Sequence, residues 1–175
     1  MGQHGHGSTD QHGSTDQRGS TDQIVMDADA LGAFMTEAFG RPLSWSIERV
    51  DDDGITVRQP TGDGDLRPGG TLSGPTLMAM ADGVAYMVLL SRIGPAALAV
   101  TSNLNINFLR RPRPGDLVCE GSLLKLGRSL AVTEVSLYSD TGDRPARTKP
   151  VAHATITYSL ALLGDGTGTT TQESA

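Results

Sequence analysis

The chain has one cysteine, four histidines and no surplus of positive charge. Cys119 alone cannot form an internal disulfide, and it excludes a cysteine-rich metal site. In "DLVCEGSLL" it reads as a small core residue on a strand. Lys and Arg number 14 against 20 Asp and Glu, for a net charge of −6 and a pI of about 5.0. That balance removes any global attraction to nucleic acid or to an anionic membrane. Long hydrophobic runs are missing too. The longest, around Val84 to Leu90, falls far short of the ~20 residues of a membrane span, and no apolar signal-peptide core lies near the start. Three of the histidines, His4, His6 and His12, sit in the first 23 residues at a spacing that fits no compact metal site. The expectation is a cytoplasmic protein with no metal or other cofactor, no nucleic acid and no membrane as partner.

What is present falls into three parts. "HGSTDQ", "HGSTDQ" and "RGSTDQ" follow one another from His6 to Gln23 with no apolar residue to anchor them, so residues 1–25 are expected to be a disordered low-complexity repeat. The natural domain is expected to begin near Met26. The tail, residues 163–175, with "GDGTGTTTQESA" from Gly164, is expected to be disordered on the same grounds. Residues 26–162 remain as one folded domain.

Within that domain "MDADALGAFMTEAFG" predicts a short helix capped by Asp27 or Asp29 and ended by Gly40. Two strands follow, "LSWSIERV" and "ITVRQP", with "DDDG" as the turn between them. The loop "TGDGDLRPGG" leads to a long apolar helix, with Ser73 and Gly74 as cap residues and Pro75 at the first helical position. Beyond it the period becomes two. In "LAVTSNLNINFLR", Leu98, Val100, Leu104, Ile106 and Phe108 are predicted on one face, with Thr101, Asn103, Asn105 and Asn107 on the other. "RRPRPGD" reads as a turn, and three long strands after it read as an antiparallel meander. The order predicts an α+β fold, a long central helix wrapped by a curled antiparallel β-sheet.

The puzzle lies in the long helix. From Pro68 to Ser91 the only charged side chain is Asp82. A carboxylate among Leu, Met, Val and Ala is costly unless it is hydrogen-bonded. It either faces solvent, is tied by an arginine, or has a chemical role.

"SGPTLMAMAD" and "LNINFLRRPRPGD" resemble the hotdog-fold acyl-CoA thioesterases of the phenylacetate-pathway (PaaI-like) type, a resemblance that covers most of residues 40 to 160. It implies a hotdog fold, and it implies Asp82 as catalytic base or nucleophile. By alignment it also implies Thr101, rather than its neighbour Ser102, as the residue that positions the attacking water. Ser73 stands where the family has His, and Arg67 where many members have an Asn that contacts the substrate carbonyl. Both departures put those substrate contacts in question. Gly74 falls on the family's first helix glycine, and a helix N-terminus offers unpaired N–H groups to a developing oxyanion.

Eight residues of helix separate Gly74 from Asp82, a rise of about 12 Å. One thioester cannot meet both unless Gly74 comes from a second subunit with an antiparallel helix, so a dimer or a dimer of dimers is expected. Asn103 and Asn105 would lie near that seam. Arg110, Arg111 and Arg113, together with Lys125 and Arg128, are candidates for pairing with the phosphates of coenzyme A. Met78 is a candidate wall of the acyl pocket, while His153 reads as structural. The expected activity is hydrolysis of a medium-chain or aromatic acyl-CoA. A non-catalytic acyl-CoA-binding hotdog protein is the alternative.

Overall fold

Asp27 starts the first helix in the computed structural model, which describes residues 23–96, 98–142 and 149–160. Its carboxylate accepts from the Ala30 N–H at 2.9 Å, and Gly40 closes the helix at φ 63°, a left-handed conformation that glycine adopts without penalty. This helix, α1 (Ala28–Phe39), is followed by β1 (Ser46–Asp51) and β2 (Gly54–Gln59), joined through the acidic turn. The segment predicted as a plain loop is more ordered than its composition suggested. It holds a single 3₁₀ turn, Asp63–Asp65, and a small hairpin of β3 (Leu66–Arg67) and β4 (Thr71–Leu72). The turn between them contains Gly69 and Gly70, both at positive φ. The C-terminal tail, and the N-terminal segment apart from residues 23–25, lie outside the described residues.

The long helix α2 (Gly74–Ile93) begins at Ser73, whose side chain caps it, so Pro75 occupies the second helical position and not the first. By length and composition α2 could cross a membrane, although no single apolar run in it is long. Here it is a core helix. Met80, Val84, Met87, Val88 and Leu90 are buried among Ile55, Val57, Leu117, Val135 and Ile156 of the sheet. Each such side chain removed from water contributes about 1.5–3 kcal/mol.

The sheet adds β5 (Val100–Phe108), β6 (Asp116–Leu126), β7 (Leu130–Asp140) and β8 (Ala152–Ser159). All neighbours are antiparallel and the order is β1-β2-β6-β7-β8-β5. The meander of β6, β7 and β8 is as predicted. The "RRPRPGD" segment, however, is not a hairpin turn. It carries the chain from β5 at one edge to β6 in the middle of the sheet. On the outer face Arg58 of β2 reaches Asp116 and Asp140, tying β2 to β6 and β7. His153 is also on that face and shares a hydrogen bond with Ser136 at 3.1 Å, a packing partner.

Gly121 of β6 marks where α2 rests on the sheet. A Cβ there would lie 2.8 Å from Val88 Cγ2 and 2.9 Å from Val84 Cγ1. Gly121→Val is expected to destabilise the fold by about 1–3 kcal/mol through overpacking, read as a lowered denaturant midpoint with an unchanged slope. Cys119 is fully buried, and burial pushes its thiol well above the ordinary cysteine value, with the Glu120 charge adding to this. The folded protein is therefore expected not to react with a disulfide reagent over minutes, and the denatured chain to react with one equivalent. Fast reaction of the native thiol would contradict the burial.

Candidate active site

Asp82 lies in the third turn of α2, on the side that faces the start of β5 and the end of β8. Its Oδ1 accepts from the Thr101 hydroxyl at 2.8 Å and lies 3.0 Å from the Tyr158 hydroxyl, which is also 2.9 Å from the Asp82 backbone oxygen. No arginine ties the carboxylate among the described residues. Oδ2 has no hydrogen-bond partner among them, and the residue lines a cavity of about 560 Å³.

Thr101 reaches Asp82 because the predicted alternation of β5 is interrupted. The register with β8 shifts between Thr101 and Asn103, a bulge at Ser102. Before the bulge Thr101 pairs with Tyr158. After it Leu104 and Ile106 pair with Ile156 and Ala154, on the same inner face. Thr101 thus joins Leu104 and Ile106 toward the helix. Val100, predicted inward, pairs with Ser159 on the outer face and is exposed. A strict period of two would have turned Thr101 away from Asp82.

The cavity beside Asp82 is walled by Phe39, Leu43 and Trp45 from α1 and the chain after it, and by Pro75, Ala79 and Gly83 of α2. The benzo end of the Trp45 ring packs against Gly83, where a Cβ would come within 2.4 Å of it. Glycine next to Asp82 is what lets the indole lie there. A second cavity, about 620 Å³, is lined by Gly74, Phe108 and three arginines, Arg67, Arg110 and Arg111. Arg67 donates to Thr71, Arg110 to the Pro150 carbonyl and Arg111 to the Gly69 carbonyl, so each guanidinium is held in place with donors to spare. Gly74 opens α2 there, and its N–H has no intrahelical acceptor.

The two cavities divide the residues singled out in the sequence. Asp82, with Thr101 hydrogen-bonded behind it, stands at one, and Gly74, Arg67, Arg110 and Arg111 at the other. Ser73 faces its own helix: its hydroxyl is 2.9 Å from that of Thr76 and accepts the Thr76 N–H. Met78 lines neither cavity and is 41% exposed, one turn before Asp82. Asn103 projects from the outer face of the sheet, away from Asp82, because its pairing partner is Thr157. Arg128 is exposed in the turn between β6 and β7, at the Val100 end of the sheet and far from Arg110 and Arg111. Tyr158 and Trp45 were not anticipated. The alternation Ala152, Ala154, Ile156, Tyr158 does mark Tyr158 as inward, yet nothing in it announces a meeting with Asp82. Among the described residues no group of three His, Cys, Asp or Glu could hold a metal ion.

β5 is an open edge. Leu109 N–H bonds to the Val151 carbonyl at 2.8 Å. By antiparallel alternation Asn107 and Asn105 then bond to β8, while Leu104, Ile106 and Phe108 turn their N–H and C=O groups outward. Val100 and Phe108 at the two ends of β5, and Leu98 and Leu109 just beyond them, are all exposed. The strand also spans both cavities: Thr101 meets Asp82 at one end, and the Phe108 ring stands 3.5 Å from where a Gly74 Cβ would be at the other.

A family model described as the thioesterase superfamily matches residues 69–146. A candidate thioesterase from Silicibacter is 40% identical in sequence; the match covers 79% of this chain and 94% of that one, with a TM-score of 0.70. A candidate thioesterase from Ralstonia eutropha, described as related to phenylacetic acid degradation, is 28% identical over 72% of this chain and 98% of that one, with a TM-score of 0.60. A candidate esterase from Halobacterium salinarum is 31% identical over 112 residues, 58% of this chain and 71% of the relative.

Proposed function

The chain belongs to the thioesterase superfamily and has its hotdog fold, and from that premise we propose that it hydrolyses acyl-CoA thioesters at a site shared by two subunits. The observation that carries this reading is the Asp82 carboxylate, held at one oxygen by two hydroxyls and left open at the other beside a cavity with both apolar and polar walls. As a base, Asp82 takes a proton from water, whose oxygen attacks the thioester carbon. The carbonyl oxygen gains the charge, the C–S bond breaks, and the thiolate leaves with a proton returned to it. As a nucleophile, Asp82 attacks the thioester carbon, the C–S bond breaks to release the CoA thiolate, which takes up a proton, and water then hydrolyses the mixed anhydride to the free acid and the Asp82 carboxylate.

The oxyanion needs a donor that Asp82's own helix cannot place, since Gly74 is a rise of about 12 Å away. Pairing of β5 with a twofold-related β5 supplies it. Because Thr101 and Phe108 lie at opposite ends of β5, antiparallel pairing sets the partner subunit's Gly74 beside Asp82. It also brings the partner's arginine cavity alongside, where Arg67, Arg110 and Arg111 suit the phosphates of coenzyme A. The same twofold moves Arg128 from the wrong end of its own subunit toward the partner's Arg110 end. The acyl group then enters the cavity walled by Trp45 and Phe39.

The test is CoA thiol release from short, medium and aromatic acyl-CoAs. Release that depends on Asp82 supports the proposal. Measurable acyl-CoA binding with no release from any substrate overturns it in favour of a binding protein.

A further inference from the structure

The geometry points to Tyr158 as a positioning residue that, with Thr101, locks the Asp82 carboxylate so that Oδ2 alone is offered to the reaction. The inference rests on Asp82 acting in thioester hydrolysis. Tyr158 is an inner-face residue of β8, 2% exposed, and it lines neither cavity. It therefore touches no substrate within its own subunit, and its effect has to pass through another group. That group is Asp82, because the phenol oxygen is 3.0 Å from Oδ1 and 2.9 Å from the backbone oxygen of the same residue. The Thr101 hydroxyl donates to the same Oδ1 from the facing position on β5, across the pair Thr101–Tyr158.

The ring is itself fixed. It stacks on Tyr86 with centroids 5.9 Å apart and planes 25° from parallel, and the Tyr86 hydroxyl is anchored on the Ala96 carbonyl at 3.1 Å. Burial raises the Tyr158 phenol above the ordinary tyrosine value, with the Asp82 charge adding to it, so the hydroxyl keeps its proton and remains a donor. A terminal carboxyl torsion is broad and roughly twofold, so a carboxylate held by one oxygen through one donor can still swing. The Thr101 proton on Oδ1, with the single Tyr158 proton shared between Oδ1 and the Asp82 backbone oxygen, restricts the swing from two strands. Either donor alone keeps only part of the restraint, and loss of both releases it.

Tyr158→Phe keeps the ring, its stacking and its volume while deleting the hydroxyl. The expected result is a drop in kcat of about 10- to 100-fold, the scale of a misplaced catalytic group, with KM within about twofold of wild type. Thr101→Ala is expected to lower kcat in the same way, and Thr101→Ser, which retains the donor, to restore most of that loss. The Thr101→Ala, Tyr158→Phe double variant is expected to lose more than the product of the two single losses. Wild-type kcat in a folded Tyr158→Phe protein overturns the inference and leaves the proposed function standing, provided Asp82→Ala is dead beside it. So does a double loss equal to the product of the singles, or a lowered melting temperature with kcat intact, which marks a structural hydroxyl only. Absence of CoA release from wild type and Asp82→Ala alike overturns the proposed function and this inference together.

Discussion

Asp82→Ala and Asp82→Asn are each expected to lower kcat by roughly 10²–10⁴-fold, the range for removal of a general base, and by more if the carboxylate attacks directly. Asparagine is the sharper variant. Its amide oxygen can still accept from Thr101 and Tyr158, so the side chain keeps its place while losing the capacity to take a proton. Asp82 is half-buried and hydrogen-bonded only at its tip, so both variants should melt within a few degrees of wild type. The measurement is thiol release under saturating acyl-CoA, with folding and oligomeric state checked alongside. Burial of Cys119 keeps the native protein from contributing to a thiol signal. Wild-type turnover in a folded Asp82→Asn protein would sink Asp82 as base and nucleophile alike.

Disrupting the open edge of β5 is expected to abolish activity without touching either cavity's chemistry. Leu104→Pro and Ile106→Pro each remove an N–H that points away from β8, so pairing within the subunit is retained. Both side chains are partly buried, and some stability is lost with them. If the dimer forms through this edge, each variant should sediment as a folded monomer with activity down to the floor set by Asp82→Ala. The cause would be geometric: one helix cannot bring its N-terminus to a group about 12 Å along its own axis. A monomer with wild-type kcat would refute the shared site. A dimer that persists in both variants would place the subunit interface elsewhere.

Much of this follows from the chain read in order. Asp27 and Gly40 delimit α1, Ser73 and Pro75 start α2, and the three long strands after Gly115 form their meander, because caps, turns and alternation are local effects written in neighbouring residues. Asp82 drew notice by the same logic, as the one charge in an apolar helix. The sheet order was not legible. The segment after Arg110 looked like a turn, and only the competition among strands for partners sends β5 to the far edge beside β8. The bulge at Ser102 was equally hidden, since alternating residue types describe a strand's faces only while its register is unbroken.

By itself the sequence determined the elements, the aliphatic core and the odd carboxylate. Tertiary structure alone decided what that carboxylate meets: Thr101 turned inward by one extra residue, Tyr158 brought from the last strand, Trp45 laid against Gly83, and the arginines gathered around Gly74 at the opposite end of β5. The reason is physical. Local propensities act over a few residues, whereas Asp82 and Tyr158 are 76 positions apart, and only packing one helix into one curled sheet closes that distance.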